Sequence, residues 1–126
     1  MSESKETEIK GIDFAQAMKI VNNNLKLYVR LLENFMNSGM DAKFFEFMNK
    51  GDAAGAAQAA HAIKGVSANL SITDVNKVFA RLEDALKKGI MPQTNEIAEA
   101  RQTYNAALET IKTLVSNPSL LEGLKK

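Results

Sequence analysis

Apolar residues recur along this chain at spacings of three and four. Leu25, Tyr28, Val29, Leu32, Phe35 and Met36 form one such series. Val75, Val78, Phe79, Leu82, Ala85 and Leu86 form a second, and Ile97, Ala100, Tyr104, Ala107, Leu108, Ile111, Leu114 and Val115 a third. That is the period of an amphipathic helix, with one face apolar and the other solvated. The alternation of a half-buried strand is not found. Asn24 offers a cap and Asn37-Ser38-Gly39 a stop, so the first series predicts a helix over 24–37. Ser71-Ile72-Thr73-Asp74 has the S-x-x-D form of a capping box, and Lys87-Lys88-Gly89 suits a helix end, which predicts 73–88. Pro92 and Thr94 mark the start of the third helix and Asn117-Pro118 its end, over 94–116.

Two shorter helices and one further long one complete the pattern. Asp13 can cap a helix over 13–21 that carries Phe14, Ala17, Met18 and Val21 on one face. A segment over 41–50 holds Phe44, Phe45, Phe47 and Met48, and its expected role is packing against the core or as a lid. The other reading of that segment is an exposed docking patch. Gly51 stops it, and Asp52 caps an alanine-rich run over 53–70, a composition that favours helix. The expected fold is therefore all-α: an antiparallel up-down four-helix bundle with short additional N-terminal helices. Residues 1–10 are polar and aperiodic and read as a flexible tail, 11–118 as the bundle domain, and 119–126 as a frayed C-terminal tail.

Composition narrows the function classes. The net charge is +1 with both signs scattered, so nothing points to nucleic acid or to an anionic membrane. There is no cysteine, which excludes disulfides and a thiol nucleophile, and a single histidine excludes a multi-histidine metal site within one chain. No apolar run approaches the ~20 residues that span a bilayer, and no signal-peptide pattern appears, so the default location is cytoplasmic. GxxxxGK, GxGxxG and HExxH motifs are lacking. The chain is read as carrying no acid–base pair of its own.

The histidine stands out by its setting. With about 100° per residue, Ala56, Ala59, Val66, Ser67 and Leu70 fall within roughly 60° of Ile63, and His61 falls about 160° away. His61 should therefore face water, near Ala54, Ala57, Gln58, Gly65 and Ala68, with Lys64 on its flank. A merely solvated face would carry Glu, Lys and Gln; a histidine on a smooth alanine and glycine surface suggests a contact surface. An imidazole that is largely neutral near pH 7 is a nucleophile. An ammonium at i+3 can sit against phosphoryl oxygens. Gly65 at i+4 leaves room beside the ring, although glycine costs about 1 kcal/mol relative to alanine inside a helix.

These residues resemble a known family. His61-x-x-Lys64-Gly65, preceded by Ala60 and followed by Ser67-Ala68-Asn69-Leu70, is similar to the signature of histidine-containing phosphotransfer (HPt) domains. The likeness extends to Val78, Leu82-Glu83-x-Ala85 and Gly89 downstream, and to Leu31-Leu32-x-x-Phe35 and Gly51-Asp52 upstream. One departure is Ser71, where the family often has glycine; it touches a helix end. The resemblance implies a helical bundle and a phosphocarrier in a multistep His–Asp phosphorelay of two-component signalling. His61 would accept a phosphoryl group from a receiver-domain aspartate and pass it to another receiver. Lys64 would screen the phosphoryl charge, and Gly65, Gln58, Ala57 and Ala68 would form the docking floor. The implied partners are response-regulator receiver domains and a hybrid sensor histidine kinase. The resemblance also implies a monomer, and places catalytic Mg2+ and acidic residues in the receiver. The alternative is a non-catalytic helical adaptor that binds a partner through the small-residue patch around His61.

Overall fold

The computed structural model describes residues 11–117 and residue 119. Among the described residues, six helices follow one another: α1 (Phe14–Ile20), α2 (Leu25–Met36), α3 (Met40–Asn49), α4 (Ala53–Leu70), α5 (Thr73–Lys87) and α6 (Thr94–Ser116). The expected all-α class is what the chain adopts. The tail expectations for 1–10 and for all of 119–126 except Ser119 lie outside the described residues.

Three helix starts form as their sequences dictate. Asp13, Asn24 and Asp52 accept hydrogen bonds from the backbone N–H groups of Gln16, Leu27 and Gly55 at 3.1, 3.0 and 2.9 Å. Each satisfies a donor that has no partner within its helix. The expected capping box at Ser71–Asp74 does not form. Ser71 instead ends α4 in the left-handed region, φ 59°, and Ile72 stands before α5 with no side-chain cap. The Ser71 N–H donates to Ala68 O and the Ile72 N–H to Ser67 O, which closes α4 tightly and leaves a two-residue turn. A left-handed backbone is where glycine is at ease, so the resemblance's usual glycine here has a conformational basis. The start of α5 is served by the N-terminal arm: Gly11 O accepts from the Asp74 N–H and the Thr73 hydroxyl, and the Asp13 N–H donates to Ser71 O. At α6 the cap is Gln93, in a reciprocal box with Glu96.

α4 and α5 make the most extensive helix pair, with α3 packed on α4, α2 on α6 and α6 on α5. α4 faces its neighbours with Gly55, Ala56, Ala57, Ala60, Ile63, Ser67 and Leu70. Small residues let facing helices approach closely. Two polar links fix the α4–α5 register. Asn76 Nδ2 donates to Lys64 O at 2.9 Å, and His61 meets Glu83 further from the turn. The pairing runs down one helix as it runs up the other, so α4 and α5 form an antiparallel hairpin.

The aromatic residues fill the interior. Phe44 stacks edge-on against Phe45 and Phe79, Phe79 against Tyr104, and Phe35 lies beside Tyr104, with centroids 5.1 to 6.0 Å apart. Phe44 and Phe45 are buried, and Phe47 and Met48 pack against the same core. The 41–50 segment is therefore structural, and the docking-patch reading of it falls. Tyr28 is buried and donates to Leu70 O at 2.7 Å, which anchors the end of α4 to α2. Burial, with Asp13 nearby, pushes the Tyr28 hydroxyl well above the usual tyrosine range.

Candidate phosphoryl-acceptor site

α4 turns His61 outward as its phase requires. The imidazole side chain is 67% exposed, while Ile63 two residues on is fully buried. Its Nδ1 lies 2.8 Å from Oε2 of Glu83, which reaches across from α5. Glu83 is itself only 2% exposed, a carboxylate set between the two helices. Its place on α5 follows from phase: it stands about 40° from Phe79, on the inward face. Ala57 and Ala60, both buried on α4, leave the short path by which the carboxylate meets the ring.

Two ammonium groups hold the same carboxylate. Lys64 Nζ lies 2.7 Å from Oε1, and Lys87 Nζ lies 3.1 Å from Oε2, one turn along α5. Burial pushes the Glu83 carboxyl up, but Lys64, Lys87 and His61 outweigh it and hold the group at about 2. At neutral pH the carboxylate is ionised and only accepts hydrogen bonds. Nδ1 of His61 therefore carries the proton, and the lone pair is on Nε2. The imidazole thus has one nitrogen fixed by α5 and a nucleophilic nitrogen without a protein partner among the described residues.

The sequence reading placed His61 and Lys64 together, and they share Glu83. The reading that the chain carries no acid–base pair of its own is corrected: Glu83 pairs with His61 from another helix, where sequence spacing gives no hint. Lys87, read as a helix-end cation, belongs to the same cluster. The signal that could have found Glu83 is a charged residue within an apolar helix face, between Phe79 and Leu86. The remaining predicted residues separate. Gln58 lines a groove with His61, Glu83 and Lys87, and so does Ala57, which was expected to face water and is buried at 8% exposure. Gly65 and Ala68 are exposed on the other side of the ring and take no part in that groove. A Cβ at Gly65 would meet nothing within 4 Å, so the space beside the ring is open.

A helical bundle that presents one outward histidine backed by a buried carboxylate and two lysines defines a class of protein built to carry a group on an imidazole. The chain matches the Hpt domain family over residues 22–116, which spans all but the first helix of the bundle. It belongs to the Hpt domain family, and histidine phosphotransfer in two-component and phosphorelay signalling is the activity of that class. Domains of this family work with receiver domains and kinases. No curated protein and no solved structure matches the chain significantly. Among the described residues, no helix is long and apolar enough to cross a membrane.

Proposed function

We propose that this protein is the histidine phosphocarrier of a multistep His–Asp relay, with Nε2 of His61 as the group that accepts and returns the phosphoryl. The observation that carries this is the Glu83–His61 pair, which leaves the nucleophilic lone pair on the nitrogen that faces away from α5. The single histidine of the chain leaves no other imidazole for the family's chemistry.

The step balances without a proton transfer. The Nε2 lone pair attacks phosphorus of an aspartyl phosphate on a receiver, the Nε2–P bond forms, the P–O bond to the aspartate breaks, and the carboxylate leaves with that electron pair. The ring becomes a phosphoimidazolium with its Nδ1 proton still directed at Glu83, whose negative charge stabilises the new cation, as a buried aspartate does beside an imidazolium. Return to a second receiver reverses these bond changes and releases neutral imidazole. Lys64 and Lys87 place two ammonium groups beside the ring, and they lower the cost of bringing an anionic phosphoryl group there. Mg2+ and the acidic groups that bind it belong to the receiver in this reading, and a hybrid sensor kinase supplies the first receiver. The protein works as a cytoplasmic monomer.

The test is label transfer from phosphorylated receivers in the presence of Mg2+. Wild type gains an acid-labile label, and His61→Gln gains none while its far-UV circular dichroism is unchanged. Label retained by His61→Gln refutes the assignment. Partner binding that survives in His61→Gln, with no label on wild type, establishes the adaptor reading instead.

A further inference from the structure

The carboxylate behind His61 is a costlier group than fixing a tautomer requires. Oε2 of Glu83 lies 2.8 Å from Nδ1 of His61 and 3.1 Å from Nζ of Lys87, and Oε1 lies 2.7 Å from Nζ of Lys64. A side-chain amide oxygen can also accept from Nδ1, and an amide costs less to bury than an ion. The chain instead buries a charge at 2% exposure and sets two ammonium groups on it. The carboxyl is held at about 2, so near neutrality it does not take the Nδ1 proton for itself. The charged groups around the ring are few. Lys64 comes from α4, and Glu83 and Lys87 come from α5. Among the described residues, α1, α2 and α3 also touch α4 but send no charged side chain into an ion pair with this cluster.

The difference between a carboxylate and an amide emerges once the ring carries a phosphoryl group. The P–Nε2 bond breaks with its electron pair going to Nε2. With Nδ1 protonated, the group that leaves is neutral imidazole. With Nδ1 bare, it is imidazolate, a strong base and a poor leaving group. An anion 2.8 Å from Nδ1, in a gap with little water, favours the protonated ring over the bare one.

We propose that Glu83 is a positioning residue for the phosphorylated state: it keeps phosphorylated His61 protonated on Nδ1 through the neutral and mildly alkaline range, so that the phosphoryl group's readiness to leave does not vary with pH. This deepens the phosphocarrier reading and rests on it for the source of the phosphoryl group. Hydrolysis reports the state of the ring, because water takes the place of the receiver in the same bond change. The water oxygen attacks phosphorus, the P–Nε2 bond breaks, and dihydrogen phosphate leaves with both water protons. The ring is released neutral with its Nδ1 proton in place. A bare ring has to draw a further proton from solvent as the bond breaks, and it loses its phosphoryl group more slowly.

The test is the pH profile of label loss. Phosphoramidate, a small donor that needs no protein partner, labels His61 in wild type and in Glu83→Gln. The donor is removed and the half-life of the label is followed from pH 6.5 to pH 9, with far-UV circular dichroism confirming that both proteins are folded. Labelled wild type in denaturing urea is the reference for a ring with no carboxylate beside it. The half-life in folded wild type changes less than about twofold across this range. In Glu83→Gln and in urea it lengthens about tenfold or more, because a free imidazole loses its proton near the lower end of the range. A residue that served only the fold leaves this slope unchanged. Folded wild type as steep as the urea reference, or Glu83→Gln as flat as wild type, overturns the proposal and leaves the relay reading to its own test with receivers. Folded wild type that refuses the label which the unfolded chain accepts shows that Nε2 is not free, and overturns the proposal as well. A flat wild type and a steep variant, in a protein that takes label from no active receiver, establish the role of Glu83 and overturn the relay reading.

Discussion

Replacing Glu83 by glutamine keeps the shape of the side chain and an oxygen that can accept from Nδ1 of His61, and removes one negative charge. The charge is what holds Lys64 and Lys87 in place. Its carboxyl is held at about 2 against an ordinary 4.5, a shift already net of the burial that opposes it. At ~1.4 kcal/mol per unit, such a shift sets a ceiling of about 3 kcal/mol on the net stabilisation. The His61 and Lys87 side chains are 67% and 64% exposed, so water screens their part of it. That leaves about 1–2 kcal/mol. The folded-state value lies below the unfolded one, so this stability is fully present above pH 4.5 and is lost as pH falls from 4.5 towards 2. Urea unfolding of wild type and Glu83→Gln, followed by far-UV circular dichroism, measures it. Expected is a lower midpoint for the variant at pH 7, equivalent to about 1–2 kcal/mol at constant slope, with the gap shrinking through pH 4 and nearly closed by pH 2. A gap of the same size at pH 7 and pH 2.5, or no gap at pH 7, refutes the claim that the ionised carboxylate stabilises the fold.

The two glycines of α4 respond oppositely to alanine. Gly65→Ala raises stability by about 0.5–1 kcal/mol in the same urea assay, because the new methyl meets nothing and helix propensity improves. Gly55→Ala lowers stability by at least ~1 kcal/mol, because its methyl collides with the Phe47 ring and displaces α3. Ser71→Gly raises the unfolding midpoint by the equivalent of about 1 kcal/mol, since it removes a left-handed serine whose buried hydroxyl has no hydrogen-bond partner; an unchanged or lower midpoint removes that account of the turn.

Much of this protein was legible before any coordinates. Local rules decide helix starts, and the caps at Asp13, Asn24 and Asp52 formed where short-range hydrogen bonding predicted. The outward phase of His61 followed from the apolar stripe through Ile63, because a helix fixes direction once its buried face is known. Where the reading failed, a non-local partner intervened. Ser71 was free to cap α5 in isolation, but the N-terminal arm delivered Gly11 O to that helix start, and the backbone of Ser71 was spent on closing α4.

The sequence by itself determined that the chain is helical, which face of α4 is buried, and that a solitary histidine stands outward with a lysine one turn away. Those are properties of one helix at a time, set by periodicity and propensity. Only the tertiary structure decided that Glu83 and Lys87 belong to the histidine, and that Gln58 and Ala57 share a groove with it while Gly65 and Ala68 do not. Glu83 is 22 positions from His61 in sequence. The link between them depends on the two-residue turn at 71–72, on the register locked by Asn76, and on the small residues that let α4 and α5 lie close. A protonated Nδ1 and a free Nε2 are consequences of that distance, and no local pattern in the sequence encodes it.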